Sequence, residues 1–224
     1  MKAWVYDEER ELDTAKFADY LNPATTAVVS IDMHRGHLDD SPDCPCPAPR
    51  ARDVVEPIDG FHDAVRALGV RIVHVRSVLR PGGVDDINGI PSAWRRTFPL
   101  HVGEIPNADA HAIEGSKWTE WVTRVEPGDM RVDGKRRLSA FYPTDLDFLL
   151  RNQHIETVVL DGGFTDCCVL NTAFDASNRN YRVIVLRDLV RGTDAHLEGA
   201  ALAMVSLHLG LVMDSRELLR QWRG

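Results

Sequence analysis

Long apolar runs, a basic surplus and scattered cysteines are all missing from this 224-residue chain. No stretch approaches the roughly 18 apolar residues that a membrane span needs. The N-terminal MKAWVYDEEREL carries acids where a secretory leader has its apolar core, so a soluble cytoplasmic protein is expected. Acidic residues outnumber basic ones, 34 to 26, and the basic ones form no run that could track a phosphate backbone, which argues against a nucleic-acid partner. The four cysteines fall into two local pairs, Cys44-Pro45-Cys46 and Cys167-Cys168, unlike the dispersed pattern of a disulfide-stapled domain. In a reducing compartment they are expected to stay thiols. The first pair lies in a Pro-rich segment with His34, His37, Asp39, Asp40 and Asp43. Without CxxC-type spacing it reads as a surface loop with incidental thiols, and no metal is expected there.

What is present is enough apolar sequence, 44% of residues, for one full core, so a single domain spanning residues 1–224 is expected. Short apolar runs recur at Thr26–Ile31, Val70–Val75, Thr157–Leu160, Arg182–Leu186 and Leu211–Met213, with a weaker one at Met130–Val132. These are buried-strand patterns. Between them lie helical patterns. Ile58, Phe61, Val65 and Leu68 recur at three- and four-residue spacing, with Pro57 suited to a first turn and Gly69 to a C-terminal cap. Further helices are expected from Thr144-Asp145, from Thr193-Asp194 and over Ser215–Trp222. Strands alternating with helices imply βαβ crossovers and a mostly parallel sheet covered on both faces. Asp39–Pro49 and Arg80–Asn107 read as irregular loops that shape a pocket.

Ligands of such sheets bind beyond the carboxyl ends of the strands. Asp32 closes the first of these runs, Ile31-Asp32-Met33. The Thr157 run leads through Asp161-Gly162-Gly163-Phe164 into Thr165-Asp166-Cys167-Cys168, after which Val169, Ala173 and Ala176 keep helical spacing. One cysteine therefore lands in a first helical turn, where free N–H groups favour a thiolate and could hold an oxyanion. Spacing alone does not choose between Cys167 and Cys168. A thiol nucleophile needs a base and a cation: His34, His37, His74, His101 and His111 are all possible, as is a carboxylate with Lys135 beyond the weak strand.

The segments TAVVSIDMHRGHL, VDGKRRLSAFYPTDLDFLL and VVLDGGFTDCCVLNTAFDASNRNYRVIVLRD resemble those of the isochorismatase-like cysteine hydrolases, from about Thr25 to Leu219. The resemblance implies an α/β/α sandwich with a six-stranded, mostly parallel Rossmann-like sheet and a Cys168, Asp32 and Lys135 triad at its carboxyl edge. It further implies a cis peptide at Gly163–Phe164 and an oxyanion hole from the N–H groups of Phe164 and Cys168. His34 and His37 replace the glutamine and aromatic residue common in the family and are expected to contact substrate, as are Arg76 and Arg80. Val75-Arg76-Ser77 stands where the nicotinamidase branch has its metal-binding Asp-x-His, so no metal and no cofactor are expected. The nucleophile favours cleavage of a C–N bond in a small amide or ureide. Vinyl-ether hydrolysis and redox sensing by Cys167-Cys168 are the alternatives. The resemblance also implies a homodimer or homotetramer. Residues 1–24 lie outside it, and they read as an extension packing on the domain or on a neighbouring subunit.

Overall fold

The computed structural model describes residues 1–224. A hairpin of β1 (Lys2–Val5) and β2 (Glu8–Glu11) precedes β3 (Thr26–Ile31), the short α1 (Arg35–Leu38) and α2 (Val55–Ala67). Then come β4 (Arg71–Ser77), α3 (Trp94–Val102), β5 (Met130–Lys135), α4 (Leu146–Asn152) and β6 (Thr157–Gly163). A single wide turn, Thr165–Val169, joins β6 to α5 (Leu170–Asn178). The chain ends with β7 (Arg182–Arg191), α6 (Ala195–Met204), β8 (Gly210–Met213) and α7 (Ser215–Arg223). One sheet runs in the order β2-β1-β8-β7-β6-β3-β4-β5.

The six strands β3 to β8 pair in parallel, as expected, but the sheet has eight. The additional two come from the N-terminal hairpin, which pairs antiparallel with β8 and closes that edge. It escapes pattern reading because β2 is Glu-Glu-Arg-Glu, exposed throughout. Such a charged edge strand also resists pairing with another chain.

Both faces of the parallel core are covered, which is why its central strands carry continuous apolar runs such as Val28-Val29 and Val158-Val159-Leu160. Val29 and Ile31 of β3, with Val158 and Leu160 of β6, pack against Leu146 and Leu150 of α4 and Ala173 and Ala176 of α5. Val28, Val159 and Ile184 face the other way, onto Ile58, Phe61 and Val65 of α2 and Leu218 of α7. Truncating Ile58, which is fully buried, to alanine would cost about 2–5 kcal/mol.

Two loop expectations change. Arg80–Asn107 contains α3, hidden in the sequence by an internal Pro99 and by the lack of a side-chain cap. Asp39–Pro49 is irregular, yet Cys44 and Cys46 are buried and the Cys46 N–H donates to the Gly36 carbonyl at 3.2 Å. The segment thus folds back on α1 and is no free surface loop.

Candidate active site

The chain leaves β3 for β4 and β5 on one side and returns to β6 on the other, so the strand order reverses between β3 and β6. Crevices form beyond the strand ends at such a point. Asp32 follows β3, Lys135 ends β5, and Cys168 lies in the turn after β6.

Asp32 adopts φ of 54°, a left-handed conformation that aspartate tolerates better than most residues. Its N–H donates to the Val75 carbonyl at 2.8 Å, and its Oδ1 accepts from the Ser77 N–H at 2.9 Å and the Ser77 hydroxyl at 3.1 Å. Lys135 Nζ donates to Asp32 Oδ2 at 2.5 Å, Ser77 Oγ at 3.0 Å and Cys168 Sγ at 3.3 Å. These three partners use all three ammonium protons of a side chain that is almost wholly buried. Ser77 was not singled out from sequence, because a small polar residue at a strand end carries no signal. Its role follows from the register that pairs it with Lys135.

Burial opposes the charge on Asp32, but the Lys135 ammonium overcomes it and holds the carboxyl at about 2. Burial likewise opposes the Lys135 charge, and Asp32 followed by Cys168 raises its pKa nonetheless. The Cys167 side chain and burial push the Cys168 thiol up, against the pull of Lys135. At rest the group is a carboxylate, an ammonium and a thiol.

Gly162 makes the strand-to-turn geometry possible. Its φ is 103°, and a Cβ there would lie 2.2 Å from the Ile31 carbonyl oxygen. Gly163 has room for a Cβ, so the requirement falls on one glycine of the pair. The Gly163–Phe164 peptide is cis. The Phe164 carbonyl accepts from the N–H groups of Cys167 and Val169, while the Phe164 N–H makes no hydrogen bond within the protein. Thr172 Oγ1 donates to the Cys168 carbonyl and accepts from the Ala140 N–H, tying the turn to the loop that follows Lys135.

Of the histidines weighed as bases, none contacts Cys168. His74 pairs with Asp129, and His101 is an exposed side chain near Asp194. His34, His37 and His111 instead come together, buried, beside Asp32. The His37 ring meets the Phe164 ring edge-on at 5.2 Å, and Trp94 and Phe98 of α3 pack on His111 and Phe164. Burial lowers the pKa of all three histidines, that of His34 to about 3, so they are neutral.

Arg76 and Arg80 are not brought to this group. Strand alternation turns Arg76 to the face opposite Ser77, where it covers Trp121, pairs with Asp133 and donates to the Thr119 carbonyl. Arg80 is largely exposed and pairs with Asp85. A surface cavity of about 650 Å³ lies elsewhere, among Lys2, Trp4, Asp188 and Glu217, and is lined by no cysteine.

Residues 26–217 match the isochorismatase domain, and the chain belongs to that family. It is 30% identical over 210 residues to the ureidoacrylate amidohydrolase RutB of Methylobacterium radiotolerans, covering 87% of this chain and 78% of that protein. It is 29% identical over 199 residues to the maleamate amidohydrolase of Pseudomonas putida, covering 88% and 86%. A cysteine hydrolase from Pseudomonas syringae pv. phaseolicola superposes with a TM-score of 0.79 at 25% identity, over 91% of this chain and 95% of that one. The class defined by this family and these relatives is a hydrolase of carbon–nitrogen bonds outside peptides. No helix is long and apolar enough to cross a membrane.

Proposed function

We propose that the chain is a cysteine-dependent amidohydrolase acting on a small amide or ureide, with Cys168 as nucleophile. The observation that carries this reading is the ammonium of Lys135 bridging Asp32 and Cys168, all three buried, next to the unpaired Phe164 N–H. Lys135 passes one proton to Asp32 Oδ2 as it takes the proton of the thiol, so the carboxyl becomes neutral and the cation stays beside the new thiolate. The thiolate attacks the substrate carbonyl carbon. The oxyanion that forms is held by the N–H groups of Phe164 and Cys168. Collapse of this intermediate expels the nitrogen, which takes the proton from Asp32, and leaves an acyl or carbamoyl thioester. Water hydrolyses the thioester with the same groups in reversed roles.

The names of the two relatives both describe amides that carry a carboxylate, which supports a carbamoyl or amide substrate with an acid group. Arg76 near the end of β4 and Arg80 beyond it are each already paired, and would serve that acid only by exchanging Asp133 or Asp85 for it.

The test is ammonia release from a panel of ureidoacrylate, maleamate, biuret, N-carbamoyl amino acids and nicotinamide, by wild type beside Cys168→Ala. Release that disappears in the variant is expected. Release retained by the variant would overturn the assignment of the nucleophile.

A further inference from the structure

We propose that His34, His37 and His111 form a site for one divalent first-row transition-metal ion, zinc foremost, with an open coordination position toward the substrate crevice. A ring nitrogen from each lies within 4.8 Å of the other two, and all three side chains are buried.

The backbone fixes one tautomer. His37 Nδ1 lies 3.0 Å from the Cys46 carbonyl oxygen, where a bare nitrogen would set lone pair against lone pair, so it carries the proton and donates it. His37 Nε2 is then a bare lone pair. His34 Nδ1 lies between the Trp118 carbonyl oxygen at 2.9 Å and the Gly36 N–H at 3.1 Å, and it serves the first as a donor or the second as an acceptor. As a donor it leaves Nε2 bare, the arrangement in which metal-bound histidines are usually held, with the outer nitrogen donating to a carbonyl. Gly36 shapes the pocket, since a Cβ there would come within 2.8 Å of the His34 ring.

Hydrogen bonding among the histidines alone does not satisfy this arrangement. With His34 donating to Trp118, two lone pairs, His34 Nε2 and His37 Nε2, face one imidazole, His111, that has a single proton to give. His34 Nε2 in fact has no hydrogen-bond partner, and its nearest carboxylate oxygen, Asp32 Oδ1, is 3.9 Å away and occupied by Ser77. The approach of His37 Nε2 to His111 Nε2, 3.4 Å, is long for an N–H···N bond. It equals the edge of a tetrahedron of about 3.3–3.4 Å that zinc–nitrogen bonds of about 2.0–2.1 Å produce. The three nitrogens lie within 4.8 Å of one another, so the rings would close by up to about 1.4 Å for one cation at the centre to use all the lone pairs at once.

The donor set selects the ion. Neutral imidazoles suit zinc and its first-row neighbours, whereas magnesium and calcium need oxygen ligands, and the one carboxylate at hand is held by Lys135 and Ser77. With three protein ligands a fourth position stays open. His34 adjoins Asp32 and His37 adjoins Phe164, so an oxygen of the substrate, a carboxylate or carbonyl, is within reach of that position.

The experiment is titration of chelator-treated, reduced wild-type protein with Co²⁺, read by visible absorption. One equivalent bound, with the intense bands of four- or five-coordinate cobalt, no thiolate charge-transfer band and displacement by Zn²⁺, is expected. Cys168→Ala should bind identically, while His37→Ala and His111→Ala should lose at least about 100-fold in affinity with unchanged circular dichroism. Failure of the wild type to bind in modest excess of Co²⁺, a thiolate charge-transfer band, or wild-type affinity in either histidine variant would each overturn the proposal. The wild-type spectrum decides the matter even where a variant does not fold, and it is independent of whether the protein hydrolyses an amide.

Discussion

The molecule buries two groups of histidines, and they are built on opposite principles. On the α2 face of the sheet, His62 Nε2 pairs with Asp161 Oδ2 at 2.9 Å and His74 Nε2 with Asp129 Oδ2 at 3.0 Å, the two rings meeting edge-on. Asp129 is itself gripped by Arg66. Ser30 lies between His74 and Asp161 in the register of β4, β3 and β6, so this row stitches three strands to a helix. At the carboxyl edge, His34, His37 and His111 have no hydrogen-bonded carboxylate and turn ring nitrogens toward one another. A histidine paired with a carboxylate has spent its lone pair or its proton on structure. A histidine whose outer nitrogen is tied to a carbonyl keeps its inner one for something else. Burial alone therefore does not separate a core histidine from a functional one, but the identity of its partner does.

The contrast should show most strongly in catalysis. Cys168→Ala should lower turnover about a thousandfold or more while leaving thermal unfolding near that of the wild type, measured by ammonia release beside a melting curve. Lys135→Met removes the cation from a buried carboxylate and should cost activity together with about 3–5 kcal/mol of stability. Asp161→Asn should behave in the converse way. It weakens a buried charge-assisted hydrogen bond worth about 1.5–3 kcal/mol and should lower Tm by several degrees without changing kcat/KM. A loss of catalysis without a loss of stability in Asp161→Asn would break the distinction between the two histidine groups.

How much of this was legible before folding depends on the range of the interactions. The parallel sheet showed in the sequence because strands buried on both faces carry short unbroken apolar runs, as in Val28-Val29 and Val158-Val159-Leu160. Asp32 and the Cys167-Cys168 pair showed as polar or nucleophilic residues where such runs end. Spacing could not choose between the adjacent cysteines. The choice of Cys168 came from a resemblance; its Sγ lies 3.3 Å from Lys135 Nζ. His34 and His37 were singled out, but their meeting with His111 was invisible because His111 lies 74 residues from His37, and only the return of the chain past α3 brings them together. Arg76 misled for a local reason: at the end of β4 it alternates with Ser77, and the residue facing Asp32 is the serine.

The smallest expected effect lies farthest from the site, at the edge closed by the N-terminal hairpin. Glu217 in α7 accepts from the Lys2 N–H at 3.0 Å and pairs with Arg220. Arg220 holds the Glu217 carboxyl low, at about 2 against an ordinary 4.5, despite some burial, and the Lys2 N–H and Gln221 add to the effect. Because the folded value lies below the unfolded one, this tether is fully present above pH 4.5 and is lost as the pH falls toward 2. Limited pepsin digestion, which works in this range, should cut wild type within Lys2–Glu11 increasingly as the pH drops through the interval. Glu217→Gln keeps an acceptor for the Lys2 N–H but loses the ion pair, so its cleavage should start higher and change little with pH. The ion pair is at the surface and open to screening, so the change should be confined to the hairpin, with turnover at neutral pH the same as in wild type. Equal pH dependence in the two proteins would mean that the pairing of β1 with β8, and not Glu217, holds that edge.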